Sequence, residues 1–143
     1  MKVERIDHIS ILVKDLDKAM KLFGEGLGIE FSQPWENKNF DIRETLGPLP
    51  LCINLCTPLT TDGEAARILE HKGEGVSMIS FKVDNLEEAV AEMKSRGIRQ
   101  IGGEKTKDAE TATFHPKDTF GIMIELVQYN EKHPLIDVLA EQS

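Results

Sequence analysis

The sequence contains an internal repeat, and this repeat constrains the fold more than any other feature of the chain. Residues 6–29 run parallel to residues 76–98, and several paired positions carry the same side chain: Ile9 and Ile79, Ser10 and Ser80, Val13 and Val83, Leu16 and Leu86, and Ala19 and Ala89. Residues 51–58 match residues 122–129 in the same way, which pairs Asn54 with Glu125. Self-similarity of this kind predicts two copies of one supersecondary unit.

Each copy of the repeat begins with a strand pattern that leads into a capped helix. In the first copy Ile9, Ile11 and Val13 alternate with other side chains, which is the period of a strand with two different faces. Asp15 then provides an N-cap, and apolar residues follow it at helical spacing: Leu16, Ala19, Met20 and Phe23. In the second copy Asn85 is the cap and Gly97 ends the helix.

These patterns predict an α+β fold of two tandem β-α-β-β-β modules that form a curved sheet around a central cavity. The remaining strands are expected at 31–33 and 38–46 in module one and at 99–102 and 111–115 in module two. We expect a single domain with module one at about 4–58, a linker helix at about 62–72 and module two at about 75–129. In the tail, 130–143, apolar residues at helical spacing predict a short helix: Leu135, Val138 and Leu139.

The composition limits the location and the partners of the protein. A net charge of -8 and a pI near 5.0 argue against a nucleic-acid partner, which requires a basic face. No stretch is apolar over the roughly 20 residues of a membrane span, and the N-terminus lacks a signal-peptide pattern. Cys52 and Cys56 lie in one predicted strand, about 13 Å apart and beyond disulfide reach. We therefore expect a cytoplasmic protein with free thiols and no membrane partner.

One face of the predicted strands is expected to line the cavity. The repeat makes four positions equivalent on this face: His8, Asn54, Met78 and Glu125. Strand parity adds further lining residues: Ser10, Cys52, Cys56, Ser80 and Met123. Glu125 interrupts an apolar run, and because an unpaired buried carboxylate is costly, this residue is interpreted as functional. His8 taken alone is more simply interpreted as a structural, hydrogen-bonded histidine.

Residues 54–99 and 114–128 resemble the methylmalonyl-CoA epimerase family of the vicinal oxygen chelate superfamily. The most specific segments are Lys72-Gly73-Glu74-Gly75 after the linker helix and His115-Pro116-Lys117 before the last strand. The superfamily also holds glyoxalase I, extradiol dioxygenases and bleomycin-resistance proteins, so isomerase and lyase activities both occur in it. The resemblance covers nearly the whole chain. It implies the paired-module fold, a small-molecule ligand and a homodimer.

The resemblance also implies a metal site at the four equivalent positions. In the epimerases two histidines and two acidic or amide side chains hold a divalent ion, which stabilises the enolate formed when a carboxylate removes the proton next to the thioester carbonyl. Here Met78 falls where the family has its second histidine, and a thioether suits hard ions poorly. The remaining ligands for Co, Ni, Mn, Zn or Mg are His8, Asn54 and Glu125. Glu36 and Glu44 fall in the region of the catalytic base.

Three hypotheses follow from these residues. The first is a metal-assisted epimerase or glyoxalase-type enzyme that acts on a small acyl thioester or 2-oxo compound, with His8 and Glu125 at the metal. The second is a metal-free protein that sequesters a small molecule in the cavity. The third is a metal-independent enzyme in which Glu125 or His8 is itself the catalytic acid or base. Met78 distinguishes the first hypothesis from the other two.

Overall fold

The computed structural model describes residues 2–48 and 50–130, and the apolar tail residues Leu135, Val138 and Leu139 lie outside this part of the chain. Within it there are eight strands: β1 (Val3–Leu12), β2 (Trp35–Asn37), β3 (Ile42–Leu46), β4 (Ile53–Pro58), β5 (Gly75–Val83), β6 (Gln100–Lys105), β7 (Ala109–Phe114) and β8 (Met123–Tyr129). The α-helices there are α1 (Leu16–Met20), α2 (Glu64–Lys72) and α3 (Leu86–Ser95).

The order of these elements confirms the two predicted β-α-β-β-β modules. Helix α1 begins at the predicted cap, where the Asp15 carboxylate accepts the Lys18 amide, and it continues as a π-helical turn over Lys21–Gly26. Helix α3 begins in the same way at Asn85, whose side chain accepts the Glu88 amide. Helix α2 lies between the modules, within the stretch predicted for the linker helix.

The prediction of a strand at 31–33 was wrong, since these residues have no strand structure. The Ser32 amide donates to the Leu46 carbonyl, but the returning Leu46 amide is accepted by the Ser32 hydroxyl instead of a backbone carbonyl. Pro34 then has no amide hydrogen with which to extend a ladder. The strand pairing with β3 therefore begins at Trp35, where β2 runs antiparallel to β3.

The chain divides into two compact units, and β1 contributes to both. One unit consists of residues 10–48 and 50–76, and its strands hydrogen-bond in the order β2-β3-β4-β1. Helix α1 packs on one face of β1 and β4, over Val13 and Leu55. Helix α2 packs through Ala65 against Leu12 and Cys56, which strand alternation places on the other face. Helices therefore pack on both faces at this end of the two strands.

The other unit consists of residues 2–9 and 77–130, with the strand order β1-β5-β8-β7-β6. Strands β5 and β8 run parallel, while β8, β7 and β6 are antiparallel neighbours. Helix α3 covers a core cluster to which β5, β7 and β8 contribute Val83, Phe114 and Leu126. No helix in the described residues is long and apolar enough to cross a bilayer. The single-domain assignment and its module bounds stay predictions.

Candidate functional site

Glu125 is a buried carboxylate in the unit formed by residues 2–9 and 77–130. It lies in β8, where the register of the parallel pair places it beside Ser80 of β5. The Ser80 hydroxyl donates to Glu125 Oε1 over 2.7 Å, and both residues are buried. The same oxygen lies 4.0 Å from His8 Nε2. The structure therefore brings together three residues that the sequence assigned to one face: His8, Ser80 and Glu125.

Asp7 holds the other side of the His8 ring. Its Oδ2 lies 2.8 Å from His8 Nδ1 and accepts the Tyr129 hydroxyl over 2.8 Å, while Arg5 Nη2 lies 3.5 Å from Oδ1. Burial by itself raises the pKa of Asp7, but the bonds from His8 and Tyr129 and the nearby positive charges outweigh it, so the pKa is lowered. An ionised Asp7 fixes the His8 ring and directs Nε2 toward Glu125.

Sequence reasoning did not identify Asp7 or Tyr129 as site residues. The available signal for Asp7 was an acidic side chain on the strand face that also carries Ile9 and Ile11. Tyr129 gave no such signal, because it is separated from Asp7 by 122 residues. Burial raises the pKa of Tyr129, and the charge of Asp7 raises it further. The Tyr129 hydroxyl therefore stays protonated and remains a hydrogen-bond donor to Asp7.

A second buried polar network lies in the unit formed by residues 10–76. Asn54 Oδ1 accepts the Ser10 hydroxyl over 2.8 Å, and Asn54 Nδ2 donates to Glu44 Oε1 over 2.9 Å. The other Glu44 oxygen, Oε2, accepts Asn37 Nδ2 over 2.9 Å. Glu44 is only 8% exposed, so its carboxylate is held in one orientation by two side-chain amides. Glu36, the other acidic residue considered for this region, is exposed on β2.

The two networks are formed at equivalent positions of the internal repeat. Ser10 and Asn54 in one unit occupy the repeat positions of Ser80 and Glu125 in the other. In each case the serine hydroxyl lies within hydrogen-bond distance of its partner's side-chain oxygen, at 2.8 Å and 2.7 Å. The repeat therefore conserves a polar contact as well as a backbone path, and it substitutes a carboxylate for an amide at position 125.

The remaining predicted lining residues have different surroundings. Cys56 is buried in the cluster under α2, and burial together with the charge of Glu44 raises its pKa to about 12. Cys52 is also buried, and both cysteines are free thiols. Met78 and Met123 are register partners on β5 and β8 and are partly exposed. That all of these residues line one cavity stays a prediction.

The donors present do not fit the hard divalent ion that the family resemblance implies. Of the four positions, His8 and Glu125 supply an imidazole and a carboxylate, but Met78 supplies a neutral thioether and Asn54 a neutral amide that is already bonded to Ser10 and Glu44. Within residues 2–48 and 50–130, no group of three or more His, Cys, Asp and Glu side chains is arranged to hold a metal ion.

The fold and the repeat match a known class of protein. Residues 7–132 match the Glyoxalase/Bleomycin resistance protein/Dioxygenase superfamily, and the chain belongs to this superfamily. Within the superfamily the chain is similar to methylmalonyl-CoA epimerases. It is 31% identical over 131 residues to the mitochondrial methylmalonyl-CoA epimerase of Homo sapiens, which covers 87% of this chain and 73% of that relative.

Solved structures show the same similarity. The crystal structure of methylmalonyl-CoA epimerase from Mycobacterium tuberculosis has a TM-score of 0.80 and 30% identity, over 91% of this chain and 91% of that chain. A methylmalonyl-CoA epimerase in complex with methylmalonyl-CoA and NH4+ has a TM-score of 0.79 and 25% identity, over 90% of this chain and 96% of that chain. The mixed α+β fold predicted from the repeat is the fold of these epimerases.

Proposed function

We propose that the protein is an acyl-CoA epimerase, which moves the proton on the carbon next to the thioester carbonyl of a small acyl-CoA. The similarity to methylmalonyl-CoA epimerases supports this substrate class, because one of the similar structures contains methylmalonyl-CoA. A proton next to a thioester carbonyl is removed by a general base while negative charge develops on the carbonyl oxygen. The chain must therefore supply a positioned base and a positioned acid.

Glu44 is the proposed base. The observation that best supports this proposal is that the Glu44 carboxylate is buried and hydrogen-bonded to two side-chain amides. A base must be held in place and kept from the bulk solvent, and Glu44 is buried with each oxygen accepting one amide, from Asn37 and from Asn54. An ionised carboxylate has about four lone-pair sites and is chemically able to accept a proton from a substrate.

Glu125 and His8 form a second pair of groups able to transfer protons, in the unit formed by residues 2–9 and 77–130. The Ser80 hydroxyl holds the Glu125 carboxylate, and His8 Nε2 lies 4.0 Å from Glu125 Oε1, so an imidazole and a carboxylate are neighbours there. No step in this proposal passes through a metal ion.

Deuterium exchange tests the proposal. Methylmalonyl-CoA is incubated with the protein in D2O, and both exchange at the carbon next to the carbonyl and epimerisation are followed by NMR. Removing a general base lowers the rate by about 10²–10⁴-fold, and we expect a loss of this size for Glu44→Gln. The matched control is Glu36→Gln, which changes an exposed carboxylate nearby and is expected to keep the wild-type rate.

The variant Glu125→Gln tests the second pair in the same assay. Because Glu44 is the proposed base, Glu125→Gln is expected to retain exchange, and a loss as large as that of Glu44→Gln would assign the base to Glu125 instead. If the wild-type protein catalyses no exchange, the proposed function is wrong. Tight acyl-CoA binding without exchange would instead support the metal-free sequestering protein. Equal losses in Glu44→Gln and Glu36→Gln would reject the assignment of Glu44 as the base.

A further inference from the structure

Three of the four equivalent positions lie in the same unit: His8, Met78 and Glu125. The Asp84 amide donates to the Lys2 carbonyl, so the beginning of β1 lies beside the end of β5 and the two neighbouring strands are antiparallel. Counting six residues along each strand from this pair brings His8 opposite Met78. On the other side of β5, Met78 pairs with Met123, and Ser80, two residues on, pairs with Glu125.

Met78 shares a strand face with the polar contacts of this unit. Residues two apart on a strand point to the same face, and the Ser80 hydroxyl donates to Glu125. The Met78 side chain is therefore on the face of the sheet that carries the Glu125 carboxylate and its neighbour His8 Nε2. A metal-binding side chain at position 78 of β5 would complete a set of three ligands, with His8 from β1 and Glu125 from β8.

The chemistry of the thioether leaves this set incomplete. Hard divalent ions select carboxylate, carbonyl and water oxygens or imidazole nitrogens, whereas a thioether is a soft, neutral donor. Other polar groups of the unit are already engaged: Asp7 Oδ2 bonds His8 Nδ1 and the Tyr129 hydroxyl, and Lys82 Nζ lies 3.4 Å from the Glu4 carboxylate. None of these contacts brings a third hard donor toward Glu125 Oε1.

We infer that Met78 occupies the third ligand position, beside His8 and Glu125, of a metal site in this unit, and that its thioether prevents tight binding of a divalent ion there. The test of this inference through turnover rests on the proposed function. The test through metal binding does not, because it is measured on the protein without substrate.

Restoring the ligand tests the inference. Co²⁺ binding is measured by calorimetry and by the visible spectrum of the bound ion, on protein purified without chelator and checked for folding by circular dichroism. Changes in the outer shell of a metal site alter affinity by about 10–100-fold, so a change in a direct ligand is expected to be at least this large. Met78→His is expected to bind one Co²⁺ at least about 10-fold more tightly than the wild type.

Two further variants identify the source of any gain. Ser77→His introduces the same imidazole on the neighbouring residue, which faces the opposite side of β5, and is expected to leave Co²⁺ affinity at the wild-type level. Met78→Gln is close to methionine in length and offers an amide oxygen, so it tests the position if the histidine variant does not fold. Adding Glu125→Gln to Met78→His is expected to remove the gained affinity.

The outcomes distinguish the two proposals. Stoichiometric metal on the wild-type protein, or loss of its exchange activity with EDTA, overturns the inference. Equal Co²⁺ affinities in Met78→His, Met78→Gln and the wild type also overturn it. Weak metal binding by the wild type, with the gain confined to position 78, supports it. If the wild type fails to exchange methylmalonyl-CoA, the proposed function is wrong, while the result on Co²⁺ binding still stands.

Discussion

Asp7 is fully buried, and its carboxylate is hydrogen-bonded to His8 and Tyr129 and forms an ion pair with Arg5. A buried carboxylate is costly unless hydrogen bonds and opposite charges compensate it, and this cluster provides both. Asp7 Oδ1 is buried without a hydrogen bond, so the ion pair with Arg5 is its compensation. The arrangement orients the imidazole that the proposed mechanism uses, so Asp7 is a positioning residue for His8.

Cys56 is predicted to be an unreactive thiol in the folded protein. With a pKa of about 12, only about one in ten thousand of its side chains is ionised at pH 8, and the side chain is 4% exposed. Alkylation by iodoacetamide at pH 8 is expected to be at least about 10³-fold slower in the folded chain than in urea. Peptide mapping by mass spectrometry measures each cysteine separately.

The pH dependence of this reaction has a defined sign. The alkylation rate is expected to rise about tenfold per pH unit between pH 8 and 10 without a plateau, because the thiolate fraction grows until the pH reaches the pKa. The folded thiol also binds its proton more tightly than the unfolded one. Its contribution to stability is therefore complete below pH 9.0, the ordinary pKa, and is lost as the pH rises toward 12. Rapid alkylation that levels off near pH 9.0 contradicts the raised pKa.

Strand parity predicted that His8, Ser80 and Glu125 lie on the cavity-facing side of their strands, because a two-residue period fixes which side chains share a face. It did not predict how each side chain is bonded. Tyr129 reaches Asp7 across 122 residues, and Asn37 reaches Glu44 between neighbouring strands whose register the sequence did not define. Glu44 and Glu36 were therefore equivalent in the sequence, and only the register of β2 against β3 makes one buried and the other exposed.

At the scale of single elements, the helices were more predictable than the short strands. A helix cap depends on residues three apart, as the Asn85 and Asp15 caps show, and such local contacts are visible in the sequence. The strand expected at 31–33 depended instead on pairing with β3, where the Ser32 hydroxyl replaces a backbone acceptor. Local patterns carry no information about such a replacement.

The cap of α3 gives a prediction at this scale. Asn85 accepts the Glu88 amide at 3.1 Å, and the helix that it starts buries Leu86 and Ala89 in the core of its unit. Replacing a capping side chain by alanine costs about 1 kcal/mol, so Asn85→Ala is expected to lower the free energy of unfolding by about this amount. Urea denaturation measures the change. Asn85→Ser keeps a capping oxygen and is the control, and an equal loss in both variants contradicts the role of the cap.

At the scale of the whole molecule, the repeat predicted the modules correctly, but the compact units do not coincide with them. The unit that contains module two also takes residues 2–9, so β1 is divided between Ile9 and Ser10. Hydrophobic periodicity indicates which face of a strand is buried. The division of β1 between the two units depends instead on which strands lie beside each part of β1. The antiparallel pairing of the first part of β1 with β5, seen at Lys2 and Asp84, was not encoded in the repeat.

The repeat also predicts equal sensitivity at equivalent core positions. Leu55 on β4 and Leu126 on β8 are matched by the repeat, and they are 0% and 3% exposed in clusters under α1 and α3. Truncating a buried leucine to alanine removes apolar contacts and leaves a cavity, which costs about 2–5 kcal/mol. Leu55→Ala and Leu126→Ala are each expected to lower the free energy of unfolding by this amount in urea denaturation.

Leu22, which is 63% exposed, provides the matched control for this pair. Its replacement by alanine deletes the same atoms from a side chain that is largely in water, so the expected change is within about 0.5 kcal/mol. A small effect at Leu55 together with a large one at Leu126 would mean that only one module carries a tightly packed core. Similar losses at both positions, with none at Leu22, would show that the duplicated sequence builds two cores of comparable strength.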